Sequence, residues 1–201
     1  MREYTTTKTS TQTPIKKPAN QIDRASKKMQ IISREMNPAT HTTMTSKPTI
    51  LALDLGTKMG WAMQSLSRVS GTVDFKNSRF EGGGMRYLKF NRWLDDMLHL
   101  AGSIDAIYFE EVRRHLGVDA AHAYGGFLAH LTAWCEYHQI AYEGVPVGTI
   151  KRHATGKGNA NKAAMILAVK NLGYDSFDDN EADALALLNW ALDNRTSGGV
   201  S

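Results

Sequence analysis

Apolar positions along the chain fall into short blocks of two kinds, continuous or alternating runs and helically spaced runs, with Gly-, Ser- and Asp-rich breaks between them. Thr49–Asp54 (TILALD) is a compact apolar run that ends in an acid, the pattern of a buried strand. Gly60–Leu66 and Val69–Phe75 read as two further strands joined by a short Ser/Arg turn. Beyond Gly82-Gly83-Gly84, the segment Met85–Ala101 places Leu88, Trp93, Leu94, Met97 and Leu98 at helical spacing. Ile104–Glu110 (IDAIYFE) predicts a fourth strand, again closed by an acid. Val118–His138 predicts a helix rich in Ala and aromatics, and Ile140–Val147 a fifth strand. Lys162–Leu172 predicts a helix that stops at Gly173. Glu181–Leu192 predicts the last helix, with Asp178, Asp179 and Asn180 available to cap it.

Consecutive strands with short turns pair antiparallel, whereas strands separated by helices add in parallel. The order therefore predicts an α/β domain over residues 47–195. Its core is a mixed five-stranded sheet, three strands antiparallel and two parallel, with helices on both faces. This is a ribonuclease H-like order. Residues 1–46 are rich in Thr, Ser, Lys, Gln and Pro and show little periodicity beyond a short possible helix near Gln21–Met36. They read as a disordered tail, dispensable for chemistry, and residues 196–201 as a flexible C-terminus.

Charge sharpens this division. Residues 1–48 carry nine Lys and Arg against three Asp and Glu, a net of +6, and the remainder carries fifteen against seventeen, a net of −2. The overall basicity belongs to the tail, where it favours polyanions such as nucleic acid. Cys135 is the only cysteine, which excludes an internal disulfide and a cysteine-ligated zinc within one chain. No apolar run is long enough to span a membrane, and a cytoplasmic setting is expected (a host cytoplasm if the chain is phage-encoded).

Three acids occupy unusual places. Asp54 follows Ile50-Leu51-Ala52-Leu53, Glu110 follows Ile107-Tyr108-Phe109, and Asp183 lies among Ala and Leu in the last predicted helix. A carboxylate beside a buried strand is costly unless something pairs with it, and a divalent cation both removes the cost and gives the acid a task. If the first and fourth strands pair in parallel, Asp54 and Glu110 become neighbours. Asp183 shares a helix face with Leu187 and Trp190, and because that apolar face should lie on the sheet, Asp183 is aimed toward the other two acids. Asn180 and Asp179 lie three and four positions before Asp183 and fall on its side, and Glu181 should point away. Oxygen ligands of this kind suit Mg²⁺ or Mn²⁺, and two such ions can hold both the attacking and the leaving oxygen of a phosphodiester. Gly56 leaves room for a phosphate beside them. Taken singly, each acid reads equally well as a turn or capping residue. Glu111 is the alternative to Glu110, since strand alternation sends the two to opposite faces.

Lys151, Arg152, Lys157 and Lys162 cluster around the loop Thr155-Gly156-Lys157-Gly158, a composition that suits contact with a phosphate backbone. Arg113, Arg114 and His115 follow Glu110 and are placed to reach DNA beside the acids. His122, His130 and His138 repeat every eight residues, which drifts around a helix, and they read as surface or packing residues.

These segments resemble, in order, the motifs of the RuvC family of Holliday-junction resolvases, especially its divergent phage-type members. LDLGTKMGWA resembles the first motif, AIYFEEV the second, carried onto Glu110, and IKRHATGKGNANKAAM the family's basic stretch, with Lys151 and Lys162. NEADALALL resembles the terminal motif, whose last acid falls on Asp183. The resemblance covers residues 48–193 and leaves out the tail. It implies a ribonuclease H fold and Mg²⁺-dependent nicking of four-way DNA junctions by a homodimer, leaving 5′-phosphate and 3′-hydroxyl ends. The site would hold two ions on Asp54, Glu110 and Asp183, with Lys162 assisting. One position departs from the family pattern: Asn180 stands where an Asp or His is usual. Its amide oxygen can ligate a cation without adding charge, and Asp179 is the alternative fourth ligand. Other readings are a ribonuclease H-like enzyme acting on hybrid or flap substrates, and a catalytically inactive nucleic-acid-binding module. An actin-like or sugar-kinase-like ATPase would need two such domains and a second phosphate loop, for which about 150 ordered residues leave no room.

Overall fold

A computed structural model of the chain describes residues 47–113, 117–174, 176 and 178–197. The expected tail over 1–46 and the residues beyond 197 lie outside them. Among the described residues ten elements follow one another: β1 (Ile50–Asp54), β2 (Lys58–Gln64), β3 (Arg68–Asp74), α1 (Met85–Ala101), β4 (Ala106–Glu111), α2 (Val118–His138), β5 (Ala141–Pro146), α3 (Val147–Thr155), α4 (Lys162–Asn171) and α5 (Asp179–Ser197). The five strands form one sheet in the order β3-β2-β1-β4-β5. β1, β2 and β3 make an antiparallel meander, while β4 joins β1 and β5 joins β4 in parallel.

The alternation of strand side chains splits the apolar residues into two cores. Leu51 and Leu53 of β1, Met59, Trp61 and Met63 of β2, and Ile107 and Phe109 of β4 point to one face, where α1 and α2 cover them. The aromatic centre of that layer is Phe75, Phe90 and Phe127, in edge or tilted contact with ring centres 5.2–5.7 Å apart. Trp134 of α2 donates its indole N–H to Asp95 of α1 at 2.8 Å, tying the two helices together. Ile50 and Ala52 of β1, Ala62 of β2 and Ala106 and Tyr108 of β4 point to the other face, under α3, α4 and α5. There Ala182, Ala184, Ala186 and Ala191 of α5 meet the alanines of the strands. Small residues on both sides let the helix axis lie close to the sheet, and α5 is buried around most of its circumference because α3 and α4 cover its back.

One helix differs from the sequence reading. Val147–Thr155 is helical, with Ile150 buried beneath it, where the residue pattern suggested the end of a strand and a loop. The Gly-rich segment after it is a loop as expected, begun by Gly156 in the left-handed conformation, with φ of 78°.

Candidate active site

The parallel ladder fixes the first pair of acids. Ile50 lies opposite Ala106 and Leu53 opposite Phe109, so the register continued by one residue sets Asp54 beside Glu110. Strands in a sheet stand ~4.8 Å apart, so the two side chains rise from neighbouring positions. Asp54 shares the face of Ile50 and Ala52, and Glu110 that of Ala106 and Tyr108, which is the α5 face. Glu111 takes the opposite face and pairs with the exposed Arg113 at 3.2 Å. Of the two glutamates, Glu110 is the one that accompanies Asp54. The end of β4 is braced by Tyr124 of α2, whose hydroxyl donates to the Glu110 carbonyl at 3.0 Å and accepts from the Val112 N–H at 3.2 Å.

The third acid arrives on α5, and the first turn of that helix is anchored to two strands, β2 and β3. Gly60 lies opposite Asp54 in β2. A Cβ on Gly60 would stand 1.8 Å from the carbonyl oxygen of Asn180, so the backbone of α5 occupies the space a side chain would take. Asp178 caps the helix, accepting from the Glu181 N–H at 3.0 Å and from the Thr72 hydroxyl of β3 at 2.8 Å. Lys58 at the start of β2 pairs with the same carboxylate at 2.7 Å. Glu181 is buried, 3% exposed, and accepts from the Ser70 hydroxyl of β3 at 2.7 Å. It does point away from Asp183, but into the protein and not into solvent. With the first turn held in this way, Asp183 follows one turn later above Asp54 and Glu110.

The electrostatics of the cluster record how close the acids are. Asp54, Glu110 and Asp183 are each partly exposed, yet loss of hydration is the largest influence on all three. Burial, then the charges of Glu110, Asp183 and Asp179, push the Asp54 carboxyl well above the usual carboxylate range. Burial and then Asp183 push Glu110 up to about 7. Burial raises Asp183, with Asp179 adding to it and the cations Lys151 and Lys162 opposing it. No hydrogen bond or ion pair from the described residues reaches the three carboxylates. Two lysines, Lys151 on α3 and Lys162 at the start of α4, supply the positive charge around them. Lys162 is itself hydrogen-bonded to Asp179, which depresses the Asp179 carboxyl.

Desolvated carboxylates that repel one another and lack protein partners are the donor set of a hard divalent cation. The residues present fit such an ion by their chemistry. As the side chains are placed, no three His, Cys, Asp or Glu among the described residues stand close enough together to grip one ion. The structure thus gathers Asp54, Glu110 and Asp183 into one cluster at the carboxyl ends of β1 and β4.

The remaining predicted residues fall at different distances from this cluster. Asn180 is brought to it through its backbone, against Gly60. Asp179 is brought to it but engaged by Lys162. Lys151 lies within the field of Glu110 and Asp183. Arg152 leans back toward Gly158 on the α3–α4 connection, and Lys157 is exposed on the same loop. Arg113 is exposed and paired with Glu111, and Arg114 and His115 lie outside the described residues. The sequence reading missed Gly60, Tyr124 and the Ser70–Glu181 contact. Only Gly60 left a signal, as a glycine inside an otherwise apolar strand, which marks close backbone approach.

Comparison with solved structures places this arrangement. Thermus thermophilus RuvC in complex with a Holliday junction substrate superposes with a TM-score of 0.63 at 21% identity, over 75% of this chain and 97% of that one. Thermus thermophilus RuvC alone gives a TM-score of 0.61 at 21% identity, over 74% and 96% of the two chains. The fold is that of RuvC. The yeast mitochondrial Holliday junction resolvase Ydc2 is more distant, with a TM-score of 0.49 at 11% identity, over 74% of this chain and 80% of that one. No protein-family model and no curated protein sequence matches the chain. The mixed sheet with helices on both faces is thus the ribonuclease H-like architecture in its RuvC-like form.

Proposed function

We propose that this chain is a metal-dependent endodeoxyribonuclease that nicks branched DNA, with the four-way junction as its preferred substrate. One observation carries the reading. Asp54, Glu110 and Asp183 meet at the carboxyl ends of two parallel strands of a RuvC-like fold, with Lys151 and Lys162 beside them. A RuvC of that fold has been seen bound to a Holliday junction, and the motif order of the sequence resembles the same family.

Asp54, Glu110 and Asp183, completed by Asn180 or Asp179, would hold a pair of Mg²⁺ or Mn²⁺ ions. Bound there, such ions turn a water into a nucleophile and neutralise charge on the attacked phosphate. The chain's own residues do the rest. The strand register and the Tyr124 clamp hold Asp54 and Glu110 side by side. The capped first turn of α5 holds Asp183 over them. Lys162, 79% exposed in its side chain, can leave Asp179 for a phosphate oxygen. Lys151 supplies fixed positive charge on the opposite flank. Attack of water on phosphorus and departure of the 3′ oxygen leave a 5′-phosphate and a 3′-hydroxyl. A four-way junction presents two equivalent strands, so a homodimer with two sites fits it by symmetry. No helix among the described residues is long and apolar enough to cross a membrane, and a chain acting on DNA belongs in the cytoplasm that holds it.

The test is one gel. The protein is incubated with a labelled four-way junction, a flap, a plain duplex and an RNA–DNA hybrid, with Mg²⁺ or with EDTA. Mg²⁺-dependent, paired nicks in the junction are expected. Cutting confined to the hybrid would move the reading to a ribonuclease H, and binding of the junction without cutting under any metal would make the chain an inactive binding module.

A further inference from the structure

We propose that Tyr124 is a positioning residue of the candidate site: its hydroxyl stands in for a missing strand residue beside Glu110, and the affinity of the site for its cations depends on that bond. The inference rests on the proposed function in taking Glu110 as a cation ligand.

Glu110 lies where β4 runs out of neighbours. In a parallel ladder, one residue bonds two groups of the strand beside it. Its N–H reaches the carbonyl before the residue opposite, and its carbonyl takes the N–H after it. Around Glu111 those two groups are the Glu110 carbonyl and the Val112 N–H. The residue opposite Glu111 on β5 is Pro146, which has no N–H to give. On the other side, the pairing of β1 with β4 ends at Leu53 and Phe109. Neither strand supplies the donor, and main-chain groups left without partners this close to the core are costly. Tyr124 of α2 fills the gap. Its hydroxyl donates to the Glu110 carbonyl at 3.0 Å and accepts from the Val112 N–H at 3.2 Å, the two bonds a strand residue opposite Glu111 would make. A hydroxyl can replace a peptide unit here because it both donates and accepts.

The direction of approach separates this role from contact with a cation. Tyr124 is buried in the layer under α1 and α2, with Phe109 and Phe127. The Glu110 side chain shares the opposite face, that of Ala106 and Tyr108, under α5. The hydroxyl grips the strand from behind and leaves the carboxylate side open. The Glu110 carboxylate has no hydrogen-bond or ion-pair partner among the described residues, so its place is set by its main chain. Asp54 is fixed by its pairing with Gly60 in β2, and Asp183 by the turns of α5. Glu110 is the acid whose main chain is held by a side chain. Groups that orient a metal ligand without touching the metal set affinity or activity by about 10–100-fold.

The experiment is Mn²⁺ binding to the full-length protein without DNA, read from the electron paramagnetic resonance signal of the free ion. Wild type is compared with Tyr124→Phe, which removes the hydroxyl and keeps the ring. Trp134→Phe is the control, since it removes a hydrogen bond from the same helix to Asp95 of α1, well away from the acids. Tyr124→Phe is expected to bind Mn²⁺ about 10-fold more weakly, and its junction cutting to need correspondingly more Mn²⁺ and to recover when the ion is raised. Its junction affinity in EDTA should equal that of wild type, because no phosphate contact is lost. Trp134→Phe should bind Mn²⁺ as wild type does, even where it melts lower. Equal Mn²⁺ affinity of Tyr124→Phe and wild type overturns the proposal alone. So does an equal loss in Trp134→Phe, which would make the effect a general loosening of α2. A wild type that binds no Mn²⁺ overturns the reading of the acids as a cation site, and this proposal with it.

Discussion

The carbonyl of Asn180 sits where the side chain of residue 60 would be. A Cβ built on Gly60 falls 1.8 Å from the Asn180 oxygen and 2.3 Å from its carbonyl carbon. Because Gly60 is the antiparallel partner of Asp54, this one missing methyl sets the height of the last helix above β1. The candidate site is therefore built by a backbone contact as well as by acids. Its three carboxylates come together because β1 and β4 are in register and because α5 lies down on a glycine.

Gly60→Ala tests that contact. The added methyl has backbone against it, and backbone cannot rotate away, so α5 must lift at its first turn. Overpacking of this kind costs ~1–3 kcal/mol, measurable as a lower midpoint in urea. Metal-dependent cutting should fall by far more than the loss of folded protein accounts for, since Asp183 moves with the helix. A variant that is destabilised but cuts normally when folded would show that the contact serves stability alone.

The isosteric acid variants separate charge from shape. Asp54→Asn, Glu110→Gln and Asp183→Asn keep the volume of each side chain and remove a charge that its neighbours repel. Each should abolish cutting by orders of magnitude while junction binding persists, because phosphate contacts do not need the ligands. Without added metal, each variant should also melt no lower than wild type, because burying a neutral amide costs less than burying one more like charge. A marked loss of stability in all three would mean that the acids hold the fold together.

Much of this arrangement is legible in the residues, and the parts that are not share a cause. Asp54 and Glu110 stand out because an acid that closes an apolar run is anomalous without any knowledge of its neighbours. Sheet order follows from which strands are joined by turns and which by helices. By contrast, Val147–Thr155 is only nine residues long, begins after Pro146, and has Gly148 inside it. Its single buried residue, Ile150, gives no period to detect. Glu181 reads from sequence as a solvent-facing acid in the first turn of a helix, favourable to the helix dipole. Its burial depends on β3 extending beneath that flank, which is a tertiary fact no local pattern records.

Glu181 is accordingly a structural residue, and the Ser70–Glu181 bond should behave as a coupled pair. Glu181→Ala leaves the Ser70 hydroxyl without its acceptor and should cost about 1–3 kcal/mol. Ser70→Ala should cost similarly, and the double variant less than the sum of the two. Chemical denaturation of the four proteins supplies the cycle. Strict additivity would show that the 2.7 Å contact contributes nothing.

Lys151 and Lys162 should differ in kind from the acids. Lys162→Ala frees Asp179 and removes one exposed cation beside the cluster. If it meets a phosphate, junction cutting falls and the slope of log K against log salt decreases by about one. Lys151→Ala removes a charge that steadies Glu110 and Asp183, so it should slow cutting and weaken binding. Unchanged rates and slopes in both variants would reduce these lysines to solvated surface.

The carboxylate cluster also fixes how stability depends on pH. Asp54, Glu110 and Asp183 all hold their protons more tightly in the folded chain than an unfolded chain does, Glu110 up to about 7. Between the ordinary carboxylate range, about pH 4, and the folded values, the native state binds more protons than the unfolded state. Stability then falls as pH rises. The contribution is fully present below the ordinary carboxylate values and is lost as pH climbs through the folded ones. Asp178 and Asp179, both held below their usual range, act in the opposite sense. Their contribution is lost only as pH drops beneath about 4, so the two windows do not overlap. The metal-free protein should melt higher at about pH 5 than at about pH 8. Mg²⁺ or Mn²⁺ competes with protons for the same oxygens, so either ion should raise the melting temperature at the higher pH and have little effect at the lower. Thermal melts across this range, with EDTA and with each ion, give the answer. A metal-free melting temperature that climbs steadily from acid to neutral pH would show that the three acids are not buried against one another. An ion effect that ignores pH would place the binding elsewhere.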